Sequence, residues 1–442
     1  MFKTFRNALK IKDIRNKLVY TFVALILVRL GSQLPVPRID REYFSQWIGN
    51  QTSLGFFDTL TGGSFTQMSI FALNITPYIT SSIIMQLLTI AIPKLEELQK
   101  EGEDGRRKIA EYTRYVTILL SVIESVAMAI GFGNSNLLDG GLTPSNVIII
   151  VSSLTAGSAF LMWLGERITE KGVGNGISII LLINIVARMP NDFSNLYKQF
   201  IAGASNVLNG LIAAVVIIVV VVGVVAFIVL MQDAQRKIPV QYAKKVQGRK
   251  MIGGQSSHIP LRVNTAGVIP VIFAGSLMQF PIVISSFFGV NPARAYIWPK
   301  ILYLLDQRTW CNFKSFGEFK YSLGLLIYIV LVIFFAYFYT SITFNPIEVS
   351  NNMKKQGGFI PGIRPGKPTT EYLTKVLNYI IFIGAVGLTI VAVIPIFFSG
   401  AFGADVSFGG TSLIIVVGVV LETIKQIESQ MLVRHYKGFL ND

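Results

Sequence analysis

Long apolar runs separated by short charged stretches dominate the chain. Ten of them approach the roughly 20 residues that a helix needs to cross a hydrocarbon core about 30 Å thick. They are residues 18–35, 70–92, 113–133, 146–165, 174–189, 209–231, 264–288, 320–345, 376–398 and 411–432. The fifth run is short and opens on Gly174 and Gly176. The second is preceded by residues 55–69, which are apolar but broken by Gly55, Gly62 and Gly63. That stretch is too short and too interrupted to span. It reads as a half-helix or re-entrant piece, tolerated at membrane depth only where protein or water surrounds it. The pattern predicts an all-α polytopic membrane protein with ten transmembrane helices.

Two of the polar connections are unusually long. In residues 233–262 the alternation from Ile238 to Tyr242 predicts a strand, and Gly253-Gly254 a turn, so a β-hairpin is expected. Residues 346–375 carry Lys354, Lys355, Gly357 and Gly358, followed by the stretch from Pro361 to Pro368. Protruding loops with basic side chains point to docking of a soluble partner. The basic residues also set the orientation. With the N-terminus in the cytoplasm, about 29 of the 39 Lys and Arg fall on the cytoplasmic side, which predicts that both termini are cytoplasmic. The basic N-terminus up to Lys17 runs into apolar residues with no small-residue cleavage site after them, and reads as a retained first span.

Composition agrees with a lipid solvent. Only 14% of residues are charged and 52% are hydrophobic, whereas soluble domains carry roughly 25% charged residues. The net charge of +15 sits between apolar runs. It therefore points to topology and to anionic lipids or an anionic protein partner, not to DNA. Cys311 is the only cysteine, and His258 and His435 are the only histidines. An internal disulfide and a Cys- or His-rich metal site are excluded. There is no zinc motif, no phosphate-binding loop of the G-x-x-x-x-G-K-[ST] type and no convincing Ser/His pair, so no catalytic residue, metal or cofactor is expected and the chain does not read as an enzyme.

Ten spans divide into five and five, residues 1–190 and 191–442, and an odd number per half gives the halves opposite orientations. The second and seventh spans occupy corresponding places. Each has a proline shortly after an asparagine, Asn74 and Pro77 in one and Asn264 and Pro270 in the other, which marks them as candidate kinked, mobile elements. Two classes share this architecture: a protein-conducting channel and a secondary transporter. A coupled transporter needs polar coordination in its core. Here the spans show Arg29, which has the choice of pairing with an acidic group, pairing with a carbonyl or snorkelling outward, Glu124, and little else.

Five motifs then occur in order, each at a definite place in the topology. They are Pro-Tyr-Ile at 77–79, Gly-Glu-Asp-Gly-Arg-Arg-Lys at 102–108, Gly-Asn-Gly-Ile-Ser at 174–178, Gly-Ile-Arg-Pro-Gly at 362–366 and Gly-Gly-Thr-Ser-Leu at 409–413. Together they make the chain resemble the SecY family of bacterial Sec translocase subunits along essentially its whole length. The resemblance implies two inverted five-helix halves around a central pore that conducts unfolded preproteins. It implies a pore ring of Ile75, Ile79, Ile177, Leu181, Ile272 and Ile415, with Leu181 standing where isoleucine is usual. It implies a plug of Asp58, Thr59, Leu60, Thr61, Gly62, Gly63, Ser64 and Phe65 within residues 55–69. A lateral gate between the second and seventh spans would have Ser81, Ile83, Gln86 and Phe280 near its seam and release signal sequences into lipid. Arg249, Lys250 and Arg364 would engage the motor ATPase SecA or the ribosome. SecE and SecG would be companion subunits, and the bacterial plasma membrane the location.

These residue types suit such a task. A ring of branched aliphatic side chains is narrow and dewetted when empty, which blocks ions. It yields around any polypeptide because it makes no fixed polar contact. Ile79 and Ile83 lie one helical turn apart, as do Ile177 and Leu181, so each pair shares a face; by spacing alone the same pattern describes ordinary helix packing. Gly62 and Gly63 weaken local helix by roughly 1 kcal/mol each relative to alanine, as a segment that must leave the pore requires. Thr80, Ser81 and Ser82 form a small polar patch that either packs helices or makes a seam easier to part. Arg364 offers a planar fork that binds carboxylates bidentately, on a loop stiffened by Pro365 between Gly362 and Gly366.

Overall fold

A computed structural model describes residues 9–41, 43–44, 61–134, 137–203, 207–242, 245–247, 250–252, 256–287, 297–306, 310–311, 322–402 and 410–438. The chain is mostly helical. Helices α1 (Lys12–Gly31), α2 (Thr76–Ala91), α3 (Pro93–Lys100), α4 (Glu103–Asn134), α5 (Pro144–Lys171) and α6 (Gly176–Leu196) are followed by a π-helical turn, Tyr197–Ala202, and by α7 (Val207–Asp233). Strands β1 (Gln235–Tyr242), β2 (Lys245–Gln247), β3 (Lys250–Ile252) and β4 (Ser256–Arg262) come next. Then come α8 (Ile269–Phe287), α9 (Ile297–Leu305), α10 (Leu323–Thr343), α11 (Pro346–Lys355), β5 (Gly358–Phe359), α12 (Lys367–Phe402) and α13 (Gly410–Gly438). Each of the ten apolar runs carries one of these helices. Among the described residues, six helices are long and apolar enough by themselves to cross a membrane, and α2 with the bent α3 makes a seventh.

The chain forms two compact units. One comprises Met1–Asn195, Pro281–Leu302 and Val419–Asp442; the other comprises Leu196–Phe280 and Tyr303–Gly418. In the first, α4 packs on α2 and α5, and α1 packs on α5. Hydroxyls stitch α4 to α5: Ser121 Oγ and Ser158 Oγ lie 3.3 Å apart, and Ser125 and Thr155 3.4 Å apart. At one end of the pair Arg114 Nε donates to Glu166 Oε1 at 2.8 Å. Small residues let α5 and the start of α6 approach closely. A Cβ on Gly176 would collide with the Gly165 carbonyl, and one on Gly165 would meet Ile177 Cδ1. Close backbone approach is the usual basis of helix association where lipid removes the hydrophobic drive between helices. Arg29, at the end of α1, keeps Nη1 buried without a hydrogen-bond partner among the described residues.

In the second unit, α12 packs along α10 and α7, and the two long loops join into one body. β1 pairs antiparallel with β4, with Ile238 opposite Ile259, and also with β5, with Gln241 opposite Phe359. The inner face of this small sheet buries Ile238, Val240 and Leu261 against Met353, Ile360 and Leu373. The expected hairpin is present in the β1–β4 pairing, and β2 pairs with β3 between them, with Gln247 opposite Lys250; Gly253-Gly254, where the turn is expected, lie outside the described residues. Before α10, Trp310 is fully buried, donates from Nε1 to the Leu304 carbonyl at 2.8 Å and packs on Tyr328. Cys311 beside it is buried, and burial pushes its thiol pKa up.

The two prolines read as kinks play another part. Pro77 and Pro270 each stand in the first turn of a helix, α2 and α8. A missing N–H costs nothing there, and the fixed φ favours initiation. The sharp bend comes instead at Ile92, in front of Pro93, where α2 and α3 meet at 101°.

Replacing Gly176 by leucine should therefore lower stability by about 1–3 kcal/mol, the usual cost of overpacking. Gly223→Leu, on α7 with nothing within 4 Å of its Cβ position, should leave stability unchanged. Thermal unfolding of the two variants in detergent checks the difference.

Candidate functional site

The stretch leading into α2 is the least regular backbone within the apolar part of the first unit. From Gly62 to Ile75 it runs in successive turns; of the stretch 55–69, expected as a half-helix or re-entrant piece, residues 55–60 lie outside the described residues. Asp58, Thr59 and Leu60 lie outside the described residues. The turns carry positive φ at Gly62 (66°), Gly63 (87°), Met68 (44°) and Asn74 (53°). Glycine takes such angles freely and asparagine with little strain, whereas Met68 has to be held there.

Packing and hydrogen bonds do the holding. Met68 N donates to the Phe65 carbonyl, and the Met68 carbonyl accepts from Val36 N at 3.0 Å. Ile70 N donates to the Leu34 carbonyl at 2.9 Å. Arg41 closes the same bridge from outside, donating from Nε to the Gln67 carbonyl (3.1 Å) and from Nη2 to the Gln33 carbonyl (2.9 Å). Phe65, Met68, Ala72 and Leu73 belong to a core with Phe44, Phe132 and Leu154. Phe44 meets Phe65 and Phe132 edge-on, with centroids 6.1 and 5.1 Å apart. Glycines on neighbouring helices admit the segment: a Cβ on Gly31 would strike the Phe71 ring, and one on Gly157 the Ile70 carbonyl. Within the candidate plug, Thr61 and Ser64 are buried, and Thr61 Oγ1 accepts from Phe65 N.

The segment ends on α6. Asn184 Nδ2 donates to Asn74 Oδ1 at 3.2 Å, both residues being buried. At the other end of the turns, a Cβ on Gly62 would lie 2.6 Å from the Asn184 carbonyl oxygen. None of Asn184, Arg41 and Gly157 stood out in the sequence reading. A signal for Asn184 was available, because it is the one polar residue in the apolar run 179–187, and intramembrane polar residues are costly and usually functional.

The ring candidates take up distinct positions. In the first unit, Ile75 is fully buried just before α2, Ile79 on α2 and Ile177 on α6 are half-buried, and Leu181 is buried. Ile177 turns its Cδ1 toward Gly165. In the second unit Ile272 and Ile415 are buried, on α8 and α13. Of the gate candidates, Ser81 is fully buried and donates to the Pro77 carbonyl at 2.7 Å, and Thr80 bonds back to Thr76 in the same way. Both hydroxyls are thus satisfied inside α2 and can be bared to lipid without an unpaired group. Ile83 and Gln86 are half-buried. Phe280 lies on α8, and its side chain is outside the described residues.

The docking candidates lie on the sheet-bearing body. Lys250 is in β3, whereas Arg249 falls outside the described residues. Arg364 is exposed, and its loop is fixed from within. Its carbonyl accepts from Thr369 Oγ1 (2.8 Å), and the Gly366 carbonyl accepts from Ser350 Oγ (3.1 Å). Gly362 and Gly366 take φ of 82° and 104°. Ile363 packs into the core under the sheet. No group of three or more metal-ligating side chains occurs among the described residues.

The fold is that of protein-conducting channels. It matches a solved structure described as a protein conducting channel with a TM-score of 0.62 at 18% identity, over 95% of this chain and 93% of that one. A second, described by the plug domain of the SecY protein stabilising the closed state, gives 0.61 at 18% identity, over 95% and 92%. The Sec61 channel from a canine ribosome–channel complex gives 0.58 at 17% identity, over 95% and 93%. The SecY family model matches residues 69–424. Protein translocase subunit SecY of Halalkalibacterium halodurans is 45% identical, that of Bacillus subtilis 43% and that of Thermotoga maritima 40%. Each alignment covers all of this chain and 98% or more of the relative. The chain belongs to the SecY family and is the channel subunit of a protein translocase, a multi-pass membrane protein. The secondary-transporter reading finds no support in these relatives.

Truncating Phe65 to alanine should cost about 3–5 kcal/mol, the usual penalty for deleting a buried aromatic ring. Denaturant unfolding of the detergent-solubilised protein measures it. A cost below about 1 kcal/mol would mean that Phe65 is not part of the core.

Proposed function

We propose that this chain holds its pore shut with the 58–65 segment and passes unfolded secretory polypeptides through a ring of Ile75, Ile79, Ile177, Leu181, Ile272 and Ile415. The observation that carries the reading is the irregular segment 62–75, packed between Phe44, Phe132 and Asn184 and leading directly into Ile75 and Ile79. An aliphatic constriction resists ions by dewetting and offers an unfolded chain no polar contact to stick to. Gly62 and Gly63 supply the joint at which the tip, Asp58 to Thr61, swings away, while Phe65 and Met68 remain in the core.

Transmembrane segments leave sideways between α2 and α8, past Ser81, Ile83, Gln86 and Phe280. The self-satisfied hydroxyls of α2 support this route. The two halves are residues 1–190 and 191–442 in inverted orientation, in the plasma membrane of a bacterium, with both termini cytoplasmic. Energy comes from outside the chain, which carries out no catalysis itself. SecA or the ribosome docks on the body formed by the two long loops, through Arg249, Lys250 and Arg364, while SecE and SecG complete the complex. Two of the similar solved structures are ribosome-bound channels, the canine Sec61 complex and an idle yeast Ssh1 complex on the 80S ribosome, which supports the ribosome as a partner.

The pore reading is tested with Cys311→Ala and Ile79→Cys and a stalled secretory polypeptide bearing one cysteine. A disulfide at position 79, absent from the exposed control Val219→Cys on α7, is the expected result. Its absence from a correctly inserted channel would remove Ile79 from the translocation path. For the docking body, Arg364→Glu should leave thermal stability unchanged and reduce partner-driven translocation at least tenfold, the ratio that a loss of about 1.4 kcal/mol in docking produces. An unchanged rate would take Arg364 out of the interface.

A further inference from the structure

We infer that Asn184 is the positioning residue for the plug: it fixes both ends of the segment from Gly62 to Asn74, so that the closed state depends on one buried side chain of α6. The inference rests on the plug reading above.

Three observations converge on Asn184. Its carboxamide Nδ2 donates to Asn74 Oδ1 at 3.2 Å, where the turns hand over to α2. Its main chain receives Gly62, where the turns begin: a Cβ there would lie 2.6 Å from the Asn184 oxygen and 2.8 Å from its Cα. Asn184 is also 3% exposed in an otherwise apolar stretch of α6, and Asn74 is 1% exposed. Outside this contact, an amide at such a depth has no water to bond to, and burying it alone costs free energy. Asn74 is itself bent into the left-handed region, at φ 53°. The bond ties α6 to the root of the segment, and the same α6 residue receives Gly62, so losing the bond frees the seat that Gly62 takes when the plug is closed and weights the equilibrium toward open. Gly62 adds the geometric half of the device. Only a residue without Cβ lets the chain seat against α6 at that point, and it is followed by Gly63, whose Cβ position is open.

The contact is then a bias on gating, separable from folding. Loss of a buried side-chain hydrogen bond between membrane helices shifts an equilibrium by roughly threefold.

The test uses the purified translocase complex in proteoliposomes loaded with potassium, with passive efflux measured in the absence of substrate. Four forms are compared with the parent: Asn184→Leu, Asn74→Gly, the double variant, and a deletion of residues 58–65. Glycine at position 74 keeps the positive φ at no cost, so Asn74→Gly removes the acceptor without straining the turn even if Asn184→Leu folds poorly. The expected result is a leak raised roughly threefold by each single change, with the double variant no leakier than the leakier single. Sealing like the parent in both single variants, next to a leaky deletion, would overturn the role of Asn184 and leave the plug reading standing. Effects that multiply in the double variant would also overturn it, since the two side chains would then act apart. A lower melting temperature with an unchanged leak would reduce the pair to a structural contact and overturn it as well. A deletion that does not leak would remove the plug reading, and this inference with it.

Discussion

In hydrocarbon every backbone N–H and C=O has to find its partner inside the protein, and the stretch between Gly62 and Ile75 is where this chain meets that demand without a helix. Its solution is local and dense. The turns bond to themselves, as in Ser69 N to the Ser64 carbonyl and Ala72 N to the Ser69 carbonyl. They bond to the strand-like residues 34–36 through Val36 and Ile70, and to Arg41. The glycines of α1 and α5 bring helices close enough to shield what remains. Ser69 Oγ is the exception, buried without a partner among the described residues. An irregular segment met this way is expensive to assemble, which is the mark of a site and not of a connecting loop.

The same constraint explains the distribution of hydroxyls in the first unit. Thr113, Thr117, Ser121 and Ser125 on α4 each donate to the carbonyl four residues earlier. Two of them also reach across to α5. Such residues pack as tightly as alanine while leaving no donor unpaired, so helices joined by them hold together without a large apolar surface between them. The sheet-bearing body obeys the opposite rule. Water is available there, and its stability comes from Ile238, Val240, Leu261, Met353, Ile360 and Leu373 removed from that water. One chain thus uses two solvents' logic, and the boundary between them falls where α7 gives way to β1 and where α10 gives way to α11.

Much of this was legible in the sequence. The ten apolar runs locate ten helices because a span's length is set by the bilayer and not by its neighbours. The strand at Ile238–Tyr242 was legible from its alternation. The part that resisted is where long-range contacts decide. A proline at position 77 or 270 reads equally as a kink or a first-turn residue, and only the irregular backbone before it settles which. The β2–β3 pairing was not legible, because it is fixed by register and not by a local signal. The joining of the two long loops through β1 and β5 pairs residues more than a hundred positions apart, about which local pattern is silent. Asn184 did not stand out, and its pairing with Asn74, 110 residues away, has no local signal.

In the plug proposed above, the contrast between root and tip follows from these energies. Phe65 and Met68 lie in a core where deleting one side chain of this size costs about 2–5 kcal/mol. Withdrawing both from it would approach the whole stability of an ordinary domain, roughly 5–15 kcal/mol. Gly62 and Gly63 come immediately before them, both at positive φ, and Gly63 has open space around its Cβ position. Rotation at that joint leaves Phe65 and Met68 where they are. On that proposal, a closure that must open with every substrate is best served by a short tip on a fixed root, with its seat set by a contact of about 0.6 kcal/mol and not by the core itself. The arrangement separates what must be stable from what must move within a dozen residues of one chain.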